Sequence, residues 1–149
     1  MYYQESSPDV VELSDEVYET YIVNSTTGKL INNTHFFLIT SFYKNVKVNA
    51  QFANDLQELS EELNKTFPHK YHFAYIDKNV DHKLFYTFNA RAEPSVYLID
   101  PTTGKAYAMD NSYNKTEPGV VKDWILSGDY KKSYSFKAPV LITDKSLGY

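Results

Sequence analysis

Apolar positions along the chain switch repeatedly between a strand-like run and a helix-like spacing. His35 to Tyr43, HFFLITSFY, is nearly continuous apolar sequence. It is too short to span a membrane and rich in aromatic residues, as expected of a strand covered on both faces. Phe52, Leu56, Leu59 and Leu63 then recur at steps of four, three and four, with Asn54, Asp55, Gln57, Glu58, Glu61 and Glu62 on the other side. That spacing predicts an amphipathic helix, closed by Pro68.

The same alternation extends in both directions. Upstream, Val10-Val11-Glu12-Leu13 is a short strand candidate, followed by Ser14 as N-cap, Asp15 and Glu16 in a first helical turn, and Val17, Tyr18, Tyr21 and Ile22 as a buried stripe. Downstream, Tyr71 to Asp77 is a strand, and Asp81 to Phe88 a brief helix turning Leu84, Phe85 and Phe88 inward. Ser95 to Asp100 and Lys105 to Met109 flank the turn-forming Asp100-Pro101-Thr102-Thr103-Gly104 and predict a hairpin. A last helix starts at Thr116 or Glu117 with Pro118 in its first turn, buries Val120, Val121, Trp124 and Ile125, and stops at Gly128.

The order β-α-β-α-β-α-β-β-α predicts an α/β domain over residues 10–128: a mixed five-stranded sheet with helices on both faces. Residues 1–9 are expected to be a flexible N-terminal segment. Residues 129–149 are expected to be a C-terminal extension or linker, in which Lys131, Lys132 and Pro139 suit a linker or edge extension and Val140-Leu141-Ile142 a strand docking elsewhere.

Composition narrows the chemistry. A net charge of −4 with a single Arg, Arg91, gives no footing for nucleic-acid binding. The chain has no cysteine, which excludes disulfides, thiol catalysis and thiolate metal sites. No stretch reaches the length of a membrane span, and the start MYYQESSPD lacks a basic-then-apolar signal pattern. His35, His69, His72 and His82, with Asp77 and Asp81 not far off, fit none of the strong zinc spacings. Neither a metal nor a cofactor is expected. The 14 Tyr residues follow a composition high in Asn and Lys and low in Arg and Gly, although Tyr also suits interfaces.

Four N-glycosylation sequons, at Asn24, Asn32, Asn64 and Asn114, fall in segments read as loops or helix ends. Random order would give roughly two, so the excess points mildly to the secretory pathway.

The element order, with Pro94 opening the fourth strand, resembles the thioredoxin fold. The segments VVELSDEVYETYI, FFLITSFY, HFAYID, FNARAEPSVYLID and VVKDWILSG resemble a thioredoxin-like domain of the protein disulfide isomerase family, covering about Val10 to Gly128. In active members of that family the strand end leads to a Cys-x-x-Cys at the helix start, where the helix dipole and free N–H groups lower the first thiol's pKa. Direct counting puts Lys47-Val48-Asn49-Ala50 at that place; the phase of the helix favours Val46-Lys47-Val48-Asn49. Neither window holds sulfur.

The resemblance therefore implies a redox-inactive domain that works by binding unfolded polypeptide or a folding partner in the lumen of the endoplasmic reticulum. It also allows that the chain is one domain of a longer protein in which neighbouring thioredoxin-like modules supply isomerase activity. The expected surface is a rim of Lys44, Asn45, Val46, Lys47 and Val48 with Glu93, Pro94 and Ser95, across which a peptide lies extended. Lys44 and Lys47 would suit an acidic partner. Members of the fold usually keep a cis proline at the place of Pro94, and Arg91 matches an arginine often found just before it, where it pairs with a carboxylate. The alternatives are a luminal thioredoxin-like subunit of a membrane assembly such as the oligosaccharyltransferase, and a thioredoxin-fold enzyme with non-thiol chemistry, such as glutathione-dependent transfer through a Ser or Tyr.

Overall fold

The computed structural model describes residues 10–80, 83–89 and 94–142. Its frame is an open, six-stranded mixed sheet in the order β1-β3-β2-β4-β5-β6. The apolar run forms β2 (Phe36–Phe42), at the centre, with β3 (Tyr71–Asp77) parallel on one side and β4 (Ser95–Asp100) antiparallel on the other. The short β1 (Val11–Glu12) pairs parallel with β3, and β5 (Lys105–Ala108) closes the hairpin on β4. Parallel pairing of β1, β3 and β2 requires helical crossovers, which the intervening sequence supplies.

Alternation along the strands divides the interior in two. Phe37 and Ile39 of β2, Ala74 and Ile76 of β3, and Tyr97 and Ile99 of β4 face one cluster. It is covered by α1 (Asp15–Val17, continuing as a π-helical turn over Tyr18–Ile22) and by α3 (Lys83–Thr87), through Tyr18, Ile22 and Leu84. Leu38, Phe42, Phe73, Val96 and Leu98 face the other, under Phe52, Leu56, Leu59 and Leu63 of α2 (Lys47–Thr66) and Val121, Trp124 and Ile125 of α4 (Pro118–Leu126). Helices therefore lie on both faces of the sheet, as the pattern predicts.

Local signals explain the boundaries. Ser14 Oγ accepts the Val17 N–H at 3.1 Å and caps α1, Pro118 stands in the first turn of α4, and Gly128 (φ 85°) takes the left-handed conformation just beyond that helix.

The strand count is six, not five. The additional strand β6 (Ser135–Lys137) comes from the segment after Gly128 and pairs antiparallel with β5, Phe136 opposite Ala106. A 3-10 turn, Asp129–Lys132, carries the chain back to the sheet edge. Tyr130 anchors it: the buried side chain donates its hydroxyl to Asp100 Oδ2 at 2.8 Å and packs edge-on against Tyr107 and Trp124. Further on, Ala138 and Leu141 are buried, and the Tyr18 hydroxyl donates to the Pro139 carbonyl. Val140-Leu141-Ile142 forms no strand; Leu141 joins the core by its side chain alone.

Candidate functional site

The carboxyl end of β2 leads through Tyr43 to Val46 into α2, and the start of β4 lies beside it because Ser41 and Ser95 are register partners. On an open α/β sheet this is where ligands gather. The loop is held from three directions. Val46 N–H and the Asn49 side-chain amide both donate to the Tyr43 carbonyl, at 3.2 and 2.8 Å. Lys44 N–H donates to Asp77 Oδ1 at 3.3 Å, and Asn79 Nδ2 to Asn45 Oδ1 at 2.8 Å. The loop is thus tied to the end of β3. Although burial pushes the Asp77 carboxyl up, the hydrogen bonds from Asn79 and from the Lys44 backbone hold it below the ordinary carboxylate range.

Helix α2 begins at Lys47 with Val46 in extended conformation as its N-cap. Val46-Lys47-Val48-Asn49 thus spans N-cap to N3, and Lys47-Val48-Asn49-Ala50 lies wholly within the first turn. An N-cap valine offers no side-chain acceptor, the first turn holds no acid, and Lys47 opposes the positive end of the helix dipole. The first-turn N–H groups of α2 consequently lack the side-chain cap that would normally occupy them.

Between this turn and Pro94 runs a cleft of about 490 Å³, lined by Val46, Val48, Asn49, Gln51, Phe52, Asp55, Pro94 and Thr116. Val46 and Val48 are 42% and 75% exposed at its mouth, whereas Pro94 and Asn49 are buried. Gln51 Nε2 donates to Asp55 Oδ1 at 2.9 Å along one wall. The cleft is apolar at its mouth and polar along that wall, which suits an extended backbone with an apolar side chain seated near Pro94.

The expected rim residues separate. Val46, Val48 and Pro94 share the cleft. Lys44 and Asn45 turn toward β3 instead; Lys44 Nζ lies over the Tyr75 ring, 5.5 Å from its centre, and the hydrogen bond to the Tyr75 hydroxyl raises its pKa. Lys47 is exposed on the first turn, and Ser95 is buried within β4. Glu93, Arg91 and His82 lie outside the described residues. Sequence reading named Asn49 only within the vacant motif and passed over Gln51, Asp55 and Thr116 as site residues, because each is an ordinary surface-type residue until α2 and the approach to α4 bring it to the cleft.

Among the described residues no group of three or more His, Asp or Glu is placed to hold a metal. The rings of His35 and His72 do meet, edge to face at 4.7 Å, while His69 stands in an exposed turn at φ 62°. No described helix is long and apolar enough to cross a membrane. Asn24, Asn32 and Asn114 lie in loops and Asn64 in the last turn of α2.

No family model matches the chain, and no curated protein matches it in sequence. Solved structures do. The chain is similar to the zinc-bound form of human ERp44, at 14% identity and TM-score 0.58 over 80% of this chain, spanning only 32% of the length of that one. It is similar to the first thioredoxin domain of mouse protein disulfide-isomerase A4, at 15% identity and TM-score 0.58, over 95% of this chain and 89% of that one. It is also similar to the thioredoxin-like domain of Arabidopsis NCP (nuclear control of PEP activity), at 11% identity and TM-score 0.63, over 93% and 97% of the two chains. With the strand order and the helices on both faces, these likenesses show that the chain has a thioredoxin-like fold.

Proposed function

We propose that this thioredoxin-like domain is redox-inactive and binds extended polypeptide across the cleft between the first turn of α2 and Pro94. The carrying observation is that cleft itself: it sits where the fold places its chemistry, yet the motif position reads Val46-Lys47-Val48-Asn49 and the mouth is apolar and exposed. A site without sulfur cannot exchange disulfides, but the N–H groups of Lys47 and Val48, which have no side-chain cap, can donate to a peptide backbone, and Val46 and Val48 can cover an apolar side chain.

The client is an unfolded polypeptide or a folding partner, and the compartment is the lumen of the endoplasmic reticulum. The likeness to domains of protein disulfide-isomerase A4 and ERdj5 and the four sequons support that compartment. A longer parent protein with neighbouring thioredoxin-like domains would supply any isomerase activity.

Titrating an unfolded, cysteine-free peptide into isotope-labelled protein tests the reading. The backbone signals of Val46, Lys47, Val48 and Ser95 should shift together and saturate. Val48→Asp, at a position 75% exposed, should leave the fold intact and weaken binding about tenfold, the scale of one lost apolar anchor. A response confined to another face refutes the proposal.

A further inference from the structure

The opposite end of the sheet carries a second cleft of different chemistry. It has a volume of about 480 Å³ and lies between the loop that follows α1 and the β4–β5 turn, with Gly28, Lys29, Asn33, Thr102, Lys105 and Lys137 among its lining residues. Since β4 runs antiparallel to β2, with Ser95 opposite Ser41 and Ile99 opposite Phe37, this turn is separated from Pro94 by the length of the strand.

Three lysines, Lys29, Lys105 and Lys137, converge on the cleft, and no Asp or Glu lines it, although the chain as a whole is acidic at −4. Lys105 and Lys137 are direct register partners across β5 and β6. Like charges directly opposite one another in an antiparallel pair are destabilising, and among the described residues neither lysine forms an ion pair, the pairs being Lys122 with Glu62 and Lys132 with Asp129. The third wall is glycine. Gly28 (φ 72°) is approached so closely by Lys137 that a Cβ there would stand 3.3 Å from Nζ, and Gly104 (φ 70°) leaves its side of the cleft open. Only the Gly104 turn therefore leaves its side of the cleft clear of side chains; at Gly28 the missing side chain makes room for the Lys137 ammonium instead.

We infer that this cleft binds a small ligand carrying two phosphate or sulfate groups, which relieves the repulsion between Lys105 and Lys137 and draws in Lys29. Two such groups, rather than one, fit both the volume and three ammonium groups drawn from one loop and two strand ends. The cleft is independent of the peptide cleft at Pro94.

The test uses the full chain with inorganic pyrophosphate and, separately, a disulfated disaccharide. The amide signals of Gly28, Gly104 and Lys137 should shift and saturate together, and tighter binding of one probe identifies phosphate or sulfate as the natural group. Lys105→Gln and Lys137→Gln should each weaken binding severalfold, and Lys29→Gln/Lys105→Gln/Lys137→Gln about tenfold or more, as expected for lost charge-assisted hydrogen bonds. All three side chains are exposed, so thermal unfolding of the variants in the absence of ligand should show that the fold is retained. The inference is overturned if neither probe saturates, if the triple variant binds unchanged, or if the shifts centre on Lys131 and Lys132 instead.

Discussion

The side-chain amide of Asn49 donates to the backbone carbonyl of Tyr43 across 2.8 Å, so a residue in the first turn of α2 fixes the end of the central strand. Asn49 is buried, and without its amide the Tyr43 carbonyl keeps the Val46 N–H at 3.2 Å as a donor, so the loss is that of one hydrogen bond, about 0.5–1.5 kcal/mol. Asn49→Ala should therefore destabilise the domain by about that amount in urea unfolding. It should also weaken peptide binding beyond what Val48→Asp does, because the whole Tyr43 to Val46 loop loosens. Asn49→Gln, which keeps the amide but lengthens the arm, should recover part of the stability.

His72 gives the domain a predicted acid sensitivity. Its ring is buried in β3, between Phe37 at 5.6 Å and His35 at 4.7 Å. Burial first, then the neighbouring His35, pushes its pKa down from the ordinary 6.5 to about 4. Between those two values the unfolded chain binds a proton that the folded chain refuses. Stability is full above the unfolded value and falls as pH is lowered through the window, by up to about 3 kcal/mol. Chemical denaturation from pH 7 to pH 4 should show that slope, and His72→Phe should flatten it.

Several features of the fold were legible because one local rule governed each. FFLITSFY had to be a doubly covered strand, and the Phe52, Leu56, Leu59 and Leu63 stripe had to face a core; all four are buried. Ser14 and Pro118 marked helix starts by their own chemistry. The sixth strand was not legible as such. Ser135-Phe136-Lys137 is three residues long, bears a lysine, and follows Lys131 and Lys132, so nothing local distinguishes it from a linker. What makes it a strand is Tyr130, whose hydroxyl finds Asp100 thirty residues away.

The candidate site divided in the same manner. The missing sulfur could be read directly, and the stripe of Phe52, Leu56, Leu59 and Leu63 gave the buried face of the helix that follows. That Lys44 and Asn45 face β3 depends on Asp77 and Asn79, partners too far along the chain for spacing to reveal. Asp55 and Thr116 reach the cleft for the same kind of reason, one from the third turn of α2 and the other from the approach to α4.

The segment 129–142 should behave as part of the folding unit. Ending the chain at Gly128 uncovers the outer edge of β5 and removes Tyr130 from between Tyr107 and Trp124, while Trp124 Nε1 loses Ser133 Oγ at 3.0 Å. The expected outcome is loss of a cooperative thermal transition, with an exposed strand edge that promotes aggregation. Tyr130→Phe isolates one contribution. It leaves the buried Asp100 carboxylate with the Thr102 N–H as its remaining donor and should cost about 1–3 kcal/mol, read as a lowered urea midpoint at unchanged slope.

Introducing sulfur would test how a Cys-x-x-Cys motif maps onto the chain. Val46 is the N-cap of α2 and Asn49 its N3 residue, and an N-cap side chain naturally reaches back over the N–H groups of N2 and N3. A thiol at Val46 thus lies near one at Asn49 and near the positive end of the helix dipole, which lowers its pKa. Lys47 and Ala50 are both inside the helix, where residues three apart hold their Cβ atoms about 5–6 Å apart, beyond the span of about 3.5–4.5 Å that a disulfide accepts. Val46→Cys/Asn49→Cys should accordingly oxidise to an intramolecular disulfide and gain measurable insulin reduction, even though losing Asn49 lowers stability. Lys47→Cys/Ala50→Cys should stay largely reduced or form intermolecular dimers under the same conditions, as followed by intact mass and non-reducing electrophoresis. The reverse order of closure would show that Lys47 and Ala50, and not Val46 and Asn49, occupy the motif position.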